Sequence, residues 1–517
     1  MLDVTVADKN MIKDEFEDAL DDDWVVSDSG FYDRYKPLRN KLRKFSAESV
    51  LEACMEKMNK FGVNSVEGFL AVPWLWIVVV KWKFIDDAGV VGGKRRMTQK
   101  ELEELQMLLV KISNYAMLPS QYKPMELYTR AVTYQQAPYQ IPIAVYGLAR
   151  QDLMFGESQE NEFFQAEFLE KHGLPLSVFL RISAFLVSVL EVNNKLKFSL
   201  YDLPVNLFGK EHVVSYLNSI SIDIDALSAT LSQASPGPRR AKEFFEQTPF
   251  LSFPIVRVGD AYWCVNRKIL MQCLNSFVYD TLKGQSKFSD KFGKKFESYV
   301  ESVISKSGLG YEVESDLKKV FGNASKVVDF LVTSEGANFF IDAKGVDLAA
   351  RAKLTHLSDV LKGAIKNSLL KAIVQGQETS LSLARVGSSG SVIRQREINY
   401  LMVVTYKPLF IGNAEFLNHL IGGEEVRRIL LGYPLQSQIP LENIYFFSVS
   451  EFESLINLVK EKKVSLVEAI ERAKLADSEF ETAKYYFAAH LSEWSEYHEL
   501  GSLLEPKVSA MTSEFSG

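Results

Sequence analysis

Residues 326–345, KVVDFLVTSEGANFFIDAKG, admit one strand pairing, and that pairing constrains the chain more than any other feature. Strand side chains alternate between two faces. A two-residue loop at Glu335–Gly336 sets Asp329 across from Asp342 and Val327 across from Lys344. One face is then wholly apolar, with Val328, Phe330 and Val332 against Phe339, Ile341 and Ala343. The other face gathers Asp329, Asp342 and Lys344. A slip of one residue would turn the apolar set to the wrong side.

That register has a chemical consequence. Directly opposed strand residues have Cβ atoms about 4.5–5.5 Å apart. Two carboxylates held so close repel, and one pKa should rise unless a cation lies between them. Mg²⁺ takes oxygen ligands and commonly uses one or two carboxylates plus substrate phosphate. Lys344 flanks the same point, where an ammonium can position a water and stabilise charge developing on phosphorus. The triplet Asp342-Ala-Lys344 is not rare in itself. Asp316-Leu-Lys318, Glu461-Lys-Lys463 and Glu505-Pro-Lys507 have the same form, but none of them ends an apolar strand.

The flanking sequence sets this hairpin in a mixed α/β module over residues 285–460. A helix over Ser289–Lys306 carries Phe292, Phe296, Tyr299 and Val303 on one stripe. Strands are expected at Tyr311–Ser315, Lys326–Thr333 and Ala337–Lys344, then a helix over Lys353–Gln375. A loop over Leu381–Gln395, strands at Asn399–Thr405 and Ile444–Val449, and a helix over Glu451–Lys460 complete it. Residues 1–40 read as an acidic segment, 41–245 as a helical domain and 246–284 as a hairpin and connecting helix. Residues 461–517 read as C-terminal helices. Ser232–Arg240, with Pro236, Gly237 and Pro238, is the best linker candidate. Gly259–Asp260 is a hairpin signal, with a helix through Leu270–Leu282 after it; Ser46 can cap a helix over Val50–Phe61, and Thr98 with Glu101 forms a capping box.

Composition excludes several classes. The 517 residues are 47% hydrophobic and 24% charged, which fits a globular protein and not a disordered or fibrous one. The longest apolar run, Phe69–Val80, is interrupted by Pro73 and falls short of the about 20 residues a bilayer span needs. No membrane is therefore expected. The N-terminus carries no basic-then-apolar secretory pattern, and three cysteines without CxxC spacing build no disulfide framework. A cytoplasmic location is the default expectation. Six scattered histidines argue against a zinc or histidine-based centre. Residues 1–30 hold ten Asp/Glu and two Lys, so the net charge of −7 conceals a remainder of +1. Residues 281–375 hold fifteen Lys/Arg and eleven Asp/Glu, a balance of +4 that suits a nucleic-acid partner.

Further polar residues flank the hairpin in sequence. Glu297, at the edge of the Phe292–Phe296 stripe, is placed to supply a third acid, with Glu301 one turn later as its competitor. Lys294, Lys295, Lys366 and Lys371 are candidate phosphate contacts or plain solvent-facing charges, and Gln375 is a polar candidate. No P-loop, dinucleotide-binding glycine pattern or nucleophile elbow occurs.

The order of a helix with Glu297, a strand, a strand with Asp329, a strand with Asp342-Ala-Lys344 and a further helix resembles the PD-(D/E)XK nuclease superfamily. The resemblance covers residues 285–460, about a third of the chain. Val328 stands where the family has proline. The resemblance implies a restriction-endonuclease-like mixed sheet flanked by helices, beside a mostly α-helical N-terminal region. It implies a Mg²⁺-dependent phosphodiesterase, with Mn²⁺ able to substitute, that hydrolyses DNA before RNA and acts as an endonuclease before an exonuclease. Asp329, Asp342 and the carbonyl of Ala343 would then be metal ligands, Lys344 the catalytic lysine and Glu297 an auxiliary acid. Relatives of this kind act in restriction, repair or defence against foreign DNA. The alternative is a catalytically silent nuclease-like fold serving as a nucleic-acid-binding or scaffold subunit. On either reading the helical N-terminal region is left to recognise a substrate, a partner protein or a trigger.

Overall fold

A computed structural model describes residues 28–60, 71–87, 94–116, 122–140, 144–156, 158–193, 195–235, 237–323, 325–386, 393–479, 481–498 and 500–513. The chain is mixed α/β, with helices dominant and two small mixed sheets. The described residues fall into two compact units. One holds those of 28–116, 132–283 and 506–513, and the other those of 122–131 and 284–505.

The first unit is largely helical. Strands β1 (Lys197–Phe198), β2 (Ser221–Asp223), β3 (Ile255–Val258) and β4 (Ala261–Cys264) form a sheet in the order β1-β4-β3-β2. The β3–β4 hairpin turns at Gly259–Asp260, with Val258 paired to Ala261. Two helix starts follow the sequence reading. Ser46 Oγ accepts the N–H of Ser49, and Thr98 and Glu101 exchange bonds between each backbone N–H and the other's side chain. Among the described residues no single helix is long and apolar enough to cross a membrane. The helices Glu162–His172 and Leu176–Leu190 reach that composition only as a pair bent by 68°, and Phe168, Leu180 and Leu186 are core residues of this unit.

Several expectations need correction here. Residues 28–40 are not an unstructured acidic extension. Asp28–Leu42 is a helix, and Phe31, Tyr35, Leu38 and Leu42 recur at helical spacing and are buried. The rest of the acidic segment, 1–27, lies outside the described residues. Ser232–Arg240 does not separate the units. Arg239 is buried and pairs with Glu243 at 3.2 Å, so the punctuated stretch is folded into the first unit, while Pro236 itself lies outside the described residues. Residues 246–283 are likewise part of this unit: Arg267 N–H donates to Asn59 Oδ1 at 3.0 Å. The Leu270–Leu282 helix is two helices, Arg267–Asn275 and Phe277–Leu282, broken at Ser276.

The second unit begins with helix α1 (Phe288–Ser305), one residue earlier than Ser289, with Lys287 in its N-cap position. Strands β5 (Tyr311–Val313), β6 (Phe330–Ser334), β7 (Ala337–Lys344), β8 (Ile398–Thr405) and β9 (Ile444–Ser448) form one sheet in chain order. β5, β6 and β7 pair antiparallel, and β7, β8 and β9 pair parallel. A helix at Glu314–Phe321 takes over where strand was expected to run to Ser315. After β7, helix α2 (Ser358–Ile365), a π-helical turn (Lys366–Leu370) and helix α3 (Lys371–Val386) run on without a break. Residues 381–386 of the expected loop are therefore helix, and 387–392 lie outside the described residues. Helix α4 (Val449–Lys460) follows β9 and starts in a full capping box, Ser448 with Glu451.

β7 is the centre of this sheet, and its first six residues are buried. Helices cover both faces, as the parallel pairing requires. Leu331, Phe340, Leu401 and Val403 pack with Leu361, Ile365, Leu369 and Ile373 of the long helix. α1 sits over the C-terminal end of β7. Phe292 and Phe296 stack on each other and meet Tyr406 edge-on, and Tyr299 donates to Glu453 of α4 at 2.6 Å. A Cβ on Gly345 would come within 2.8 Å of the Phe292 ring. Gly345→Ala should therefore cost about 1–3 kcal/mol by overpacking. Urea denaturation monitored by circular dichroism measures it, and an unchanged midpoint would show that α1 moves freely.

Two outlying segments belong to this unit because they satisfy its buried polar groups. Arg130 is fully buried and donates to the carbonyls of Ala352, Lys353 and Leu409 at 2.9, 2.9 and 3.1 Å. Asp477, ending the helix Leu466–Asp477, accepts from Tyr445 of β9 and from Asn413 at 2.9 and 3.0 Å. The α/β module thus continues to 505 and does not stop at 460.

Candidate active site

The β6–β7 register is the one the hydrophobic pattern demands. Phe330 pairs with Ile341, Val332 with Phe339 and Ser334 with Ala337. Glu335 and Gly336 form the turn, both with positive φ, as a type I′ hairpin requires. Strand β6 starts at Phe330, not at the expected Lys326, so Asp329 lies one residue ahead of the ladder and the expected Asp329–Asp342 and Val327–Lys344 pairs are not part of it.

Asp342 is fully buried, 0% exposed. Its Oδ2 lies 2.6 Å from Lys344 Nζ, and its Oδ1 has no hydrogen-bond partner among the described residues. Asp329 Oδ2 accepts the Ala343 N–H at 2.7 Å, which ties the strand carrying one acid to the strand carrying the other. Burial pushes the Asp329 carboxyl up to about 7, the adjacent Asp342 adds to this, and Lys344 opposes it. Asp342 is also raised by burial, against the pull of Lys344.

Glu297 of α1 is half-buried and lies within electrostatic range of Asp329 and Lys344. Burial, then Asp329, Glu314 and Glu301, raise its carboxyl to about 7, and Lys344 lowers it. The structure separates it from its competitor: Glu301 accepts a hydrogen bond from Tyr311 of β5 at 3.3 Å. Glu314 is the residue sequence reasoning missed. It opens the helix after β5, pairs with Lys318 at 2.7 Å and raises both Glu297 and Asp329. Reading Tyr311–Ser315 as one strand hid it. The acidic cluster at residues 312–316 just before an amphipathic stretch was the available signal.

Gln375 joins the cluster from α3. Its Oε1 accepts from Lys344 Nζ at 3.0 Å, and its Nε2 donates to the Val327 carbonyl at 3.0 Å. It bridges the lysine to the backbone just ahead of Asp329. Gly376, the next residue, has no Cβ to strike Leu401 of β8, which would be 2.8 Å away. On the nuclease activity that the resemblance implies, Gln375→Ala should lower cleavage about 10- to 100-fold, as removal of a partner that orients a site residue does. Gln375→Glu keeps an acceptor for Lys344 and should recover part of the loss. Equal losses in the two variants would mean the contact to Lys344 is incidental. Lys294 is exposed on α1 and Lys295 is half-buried; Lys366 and Lys371 are exposed on the long helix.

The donor chemistry fits a hard divalent ion. Two close carboxylates, one with an orphaned oxygen, need either a proton or a cation between them. With the Ala343 carbonyl on the same strand end they offer oxygen ligands only. That set, completed by water and phosphate, suits Mg²⁺. No group of three or more His, Cys, Asp or Glu in a metal-holding arrangement occurs among the described residues. Compared with protein-family models, curated proteins and solved structures, the chain matches none of them.

Proposed function

We propose that the second unit is a restriction-endonuclease-like module that hydrolyses phosphodiester bonds in DNA with Mg²⁺, Mn²⁺ being able to substitute. The observation that carries this reading is the convergence of Asp329, Asp342 and Lys344 at the open end of β7, with Asp342 buried and short of partners.

Asp329, Asp342 and the Ala343 carbonyl would hold the ion, which supplies Lewis-acid stabilisation of the phosphoryl oxygens. The protein residues do the rest. Ala343 N–H fixes the Asp329 carboxylate. Lys344 presents an ammonium to the scissile phosphate and balances the negative charge that grows on its oxygens as water adds and the ester P–O bond breaks. Glu297, with its carboxyl near 7, can take a proton from the attacking water at neutral pH. Gln375 holds Lys344 in place.

A silent scaffold is the second reading, and one observation favours it. Asp342 already has a cation, the Lys344 ammonium at 2.6 Å, so the pair can serve as a buried structural bridge. Incubating the purified chain with supercoiled plasmid in Mg²⁺ or Mn²⁺, against EDTA, separates the two. Metal-dependent nicking or linearisation supports the nuclease. No cleavage with either ion leaves the scaffold reading.

A further inference from the structure

We propose that the exposed face of the long helix Ser358–Val386 is a track for the phosphate backbone of duplex DNA, and that the π-helical turn Lys366–Leu370 aligns it with the Asp329–Asp342–Lys344 site. The track deepens the nuclease reading and rests on it for what lies at its end.

Lys362 and Lys366 are four residues apart in sequence and share a face of α2. Lys371 and Gln375 have the same spacing on α3. Between Lys366 and Lys371 there are five steps. On an α-helix of 3.6 residues per turn, five steps leave a residue about 140° out of line. A π turn closes its hydrogen bond from i to i+5 and turns less per residue, so it brings residues five apart much closer into line than an α-helix does. The turn occupies Lys366–Leu370, where that correction is needed. Lys362, Lys366, Lys371 and Gln375 therefore form one stripe.

Both ends of the stripe are anchored by contacts. At the site end, Gln375 accepts from Lys344, and the Lys371 ammonium acts on Asp342. At the far end, Lys362 and Arg428 share Glu425 at 2.7 and 3.1 Å, and Lys366 also acts on that carboxylate. Asp359 and Glu378 fall on the same face, three residues from Lys362 and from Gln375, and Arg385 follows Glu378 by two turns, so Lys362, Lys366, Lys371, Arg385 and Arg428 stand against three carboxylates and leave a surplus of two positive charges. Lys366 and Lys371 are exposed and form no ion pair among the described residues.

The stripe's chemistry selects its occupant. From Lys362 to Gln375 it runs about 20 Å at 1.5 Å per residue, a little over half a turn of B-DNA. Sites for single strands combine charge with aromatic platforms for the bases. The exposed residues between these lysines are Gly363, Ala364 and Asn367, with no aromatic ring among them. Such a surface grips a backbone and reads no bases.

The test is binding of a fluorescent 30-base-pair DNA duplex in Ca²⁺ over a range of salt, with cleavage measured separately in Mg²⁺. Wild type should lose affinity as salt rises, with a log–log slope of about −0.9 per neutralised phosphate. Lys366→Gln and Lys371→Gln should each reduce the magnitude of that slope by about one unit. Lys460→Gln, on α4, should leave it unchanged. Lys366→Gln combined with Leu475→Lys, at an exposed position on the helix Leu466–Asp477, keeps the net charge but moves it off the stripe, and should not restore binding. A wild-type slope near zero overturns the track, as does full recovery by the moved lysine, or tighter binding to a matched RNA duplex. If the stripe variants lose slope while wild type cleaves nothing, the track stands and the nuclease reading falls. If wild type cleaves and the variants keep its slope, the track falls and the nuclease reading stands.

Discussion

Asp342→Ala and Lys344→Ala should each abolish Mg²⁺-dependent cleavage while the fold persists. On the proposed nuclease reading losses of at least about 10³-fold are expected, because each variant would remove a charge that reading sets against the reacting phosphate. The two should differ in stability. Asp342→Ala removes a buried acid that lies against Asp329, but it strands the Lys344 ammonium, which is only 17% exposed. Gln375 still accepts from that ammonium, which limits the cost. Asp342→Asn keeps the volume and removes the repulsion, so it should be as inactive as the alanine variant and at least as stable as wild type. Purified-enzyme cleavage assays and thermal melts read both quantities. Wild-type activity in Asp342→Asn would remove the site assignment.

The second large effect is coupled to pH. The Asp329 carboxyl has a pKa of about 7 in the folded protein, above its ordinary value near 4, with burial the main cause. A raised acid gives stability that is fully present below the unfolded pKa and is lost as pH rises through the folded one. Asp342 is shifted in the same direction. Wild type without metal should therefore lose stability between about pH 4 and 7 relative to an Asp329→Asn/Asp342→Asn variant. Mg²⁺ should reverse the loss, because the deprotonated pair is the form that binds it, and its effect should grow with pH. At a hundred times its Kd, the ion should add about 2.7 kcal/mol. For a unit of this size, each kcal/mol is worth about 2–4 °C in Tm. Calorimetry from pH 5 to 8 with Mg²⁺ or EDTA measures this. A Mg²⁺ shift that is equal in wild type and the double asparagine variant would show that the ion binds elsewhere.

The sequence alone determined the hairpin and the grouping of charged residues at its end. Strand alternation leaves one register that buries Phe330, Val332, Phe339 and Ile341 together, and that register groups Asp329, Asp342 and Lys344. Short-range rules also carried the caps at Ser46 and Thr98 and the turn at Gly259–Asp260, because each is set by residues within a few positions. Tertiary structure decided the rest. Acidic composition concealed the helix Asp28–Leu42, whose buried stripe needs a partner surface to become visible. Arg130 joins the second unit through carbonyls more than two hundred residues away, which no local pattern encodes. Glu297 and Glu301 lie one helical turn apart and are equivalent in sequence, and the fold parts them by giving Tyr311 to Glu301. Gln375 gained its role from the packing of α3 on β8, and Lys371 came into line with Lys366 through a π turn. A π turn has no reliable local signature, since it is a compromise between helix phase and the packing of Leu369 and Ile373 against the sheet.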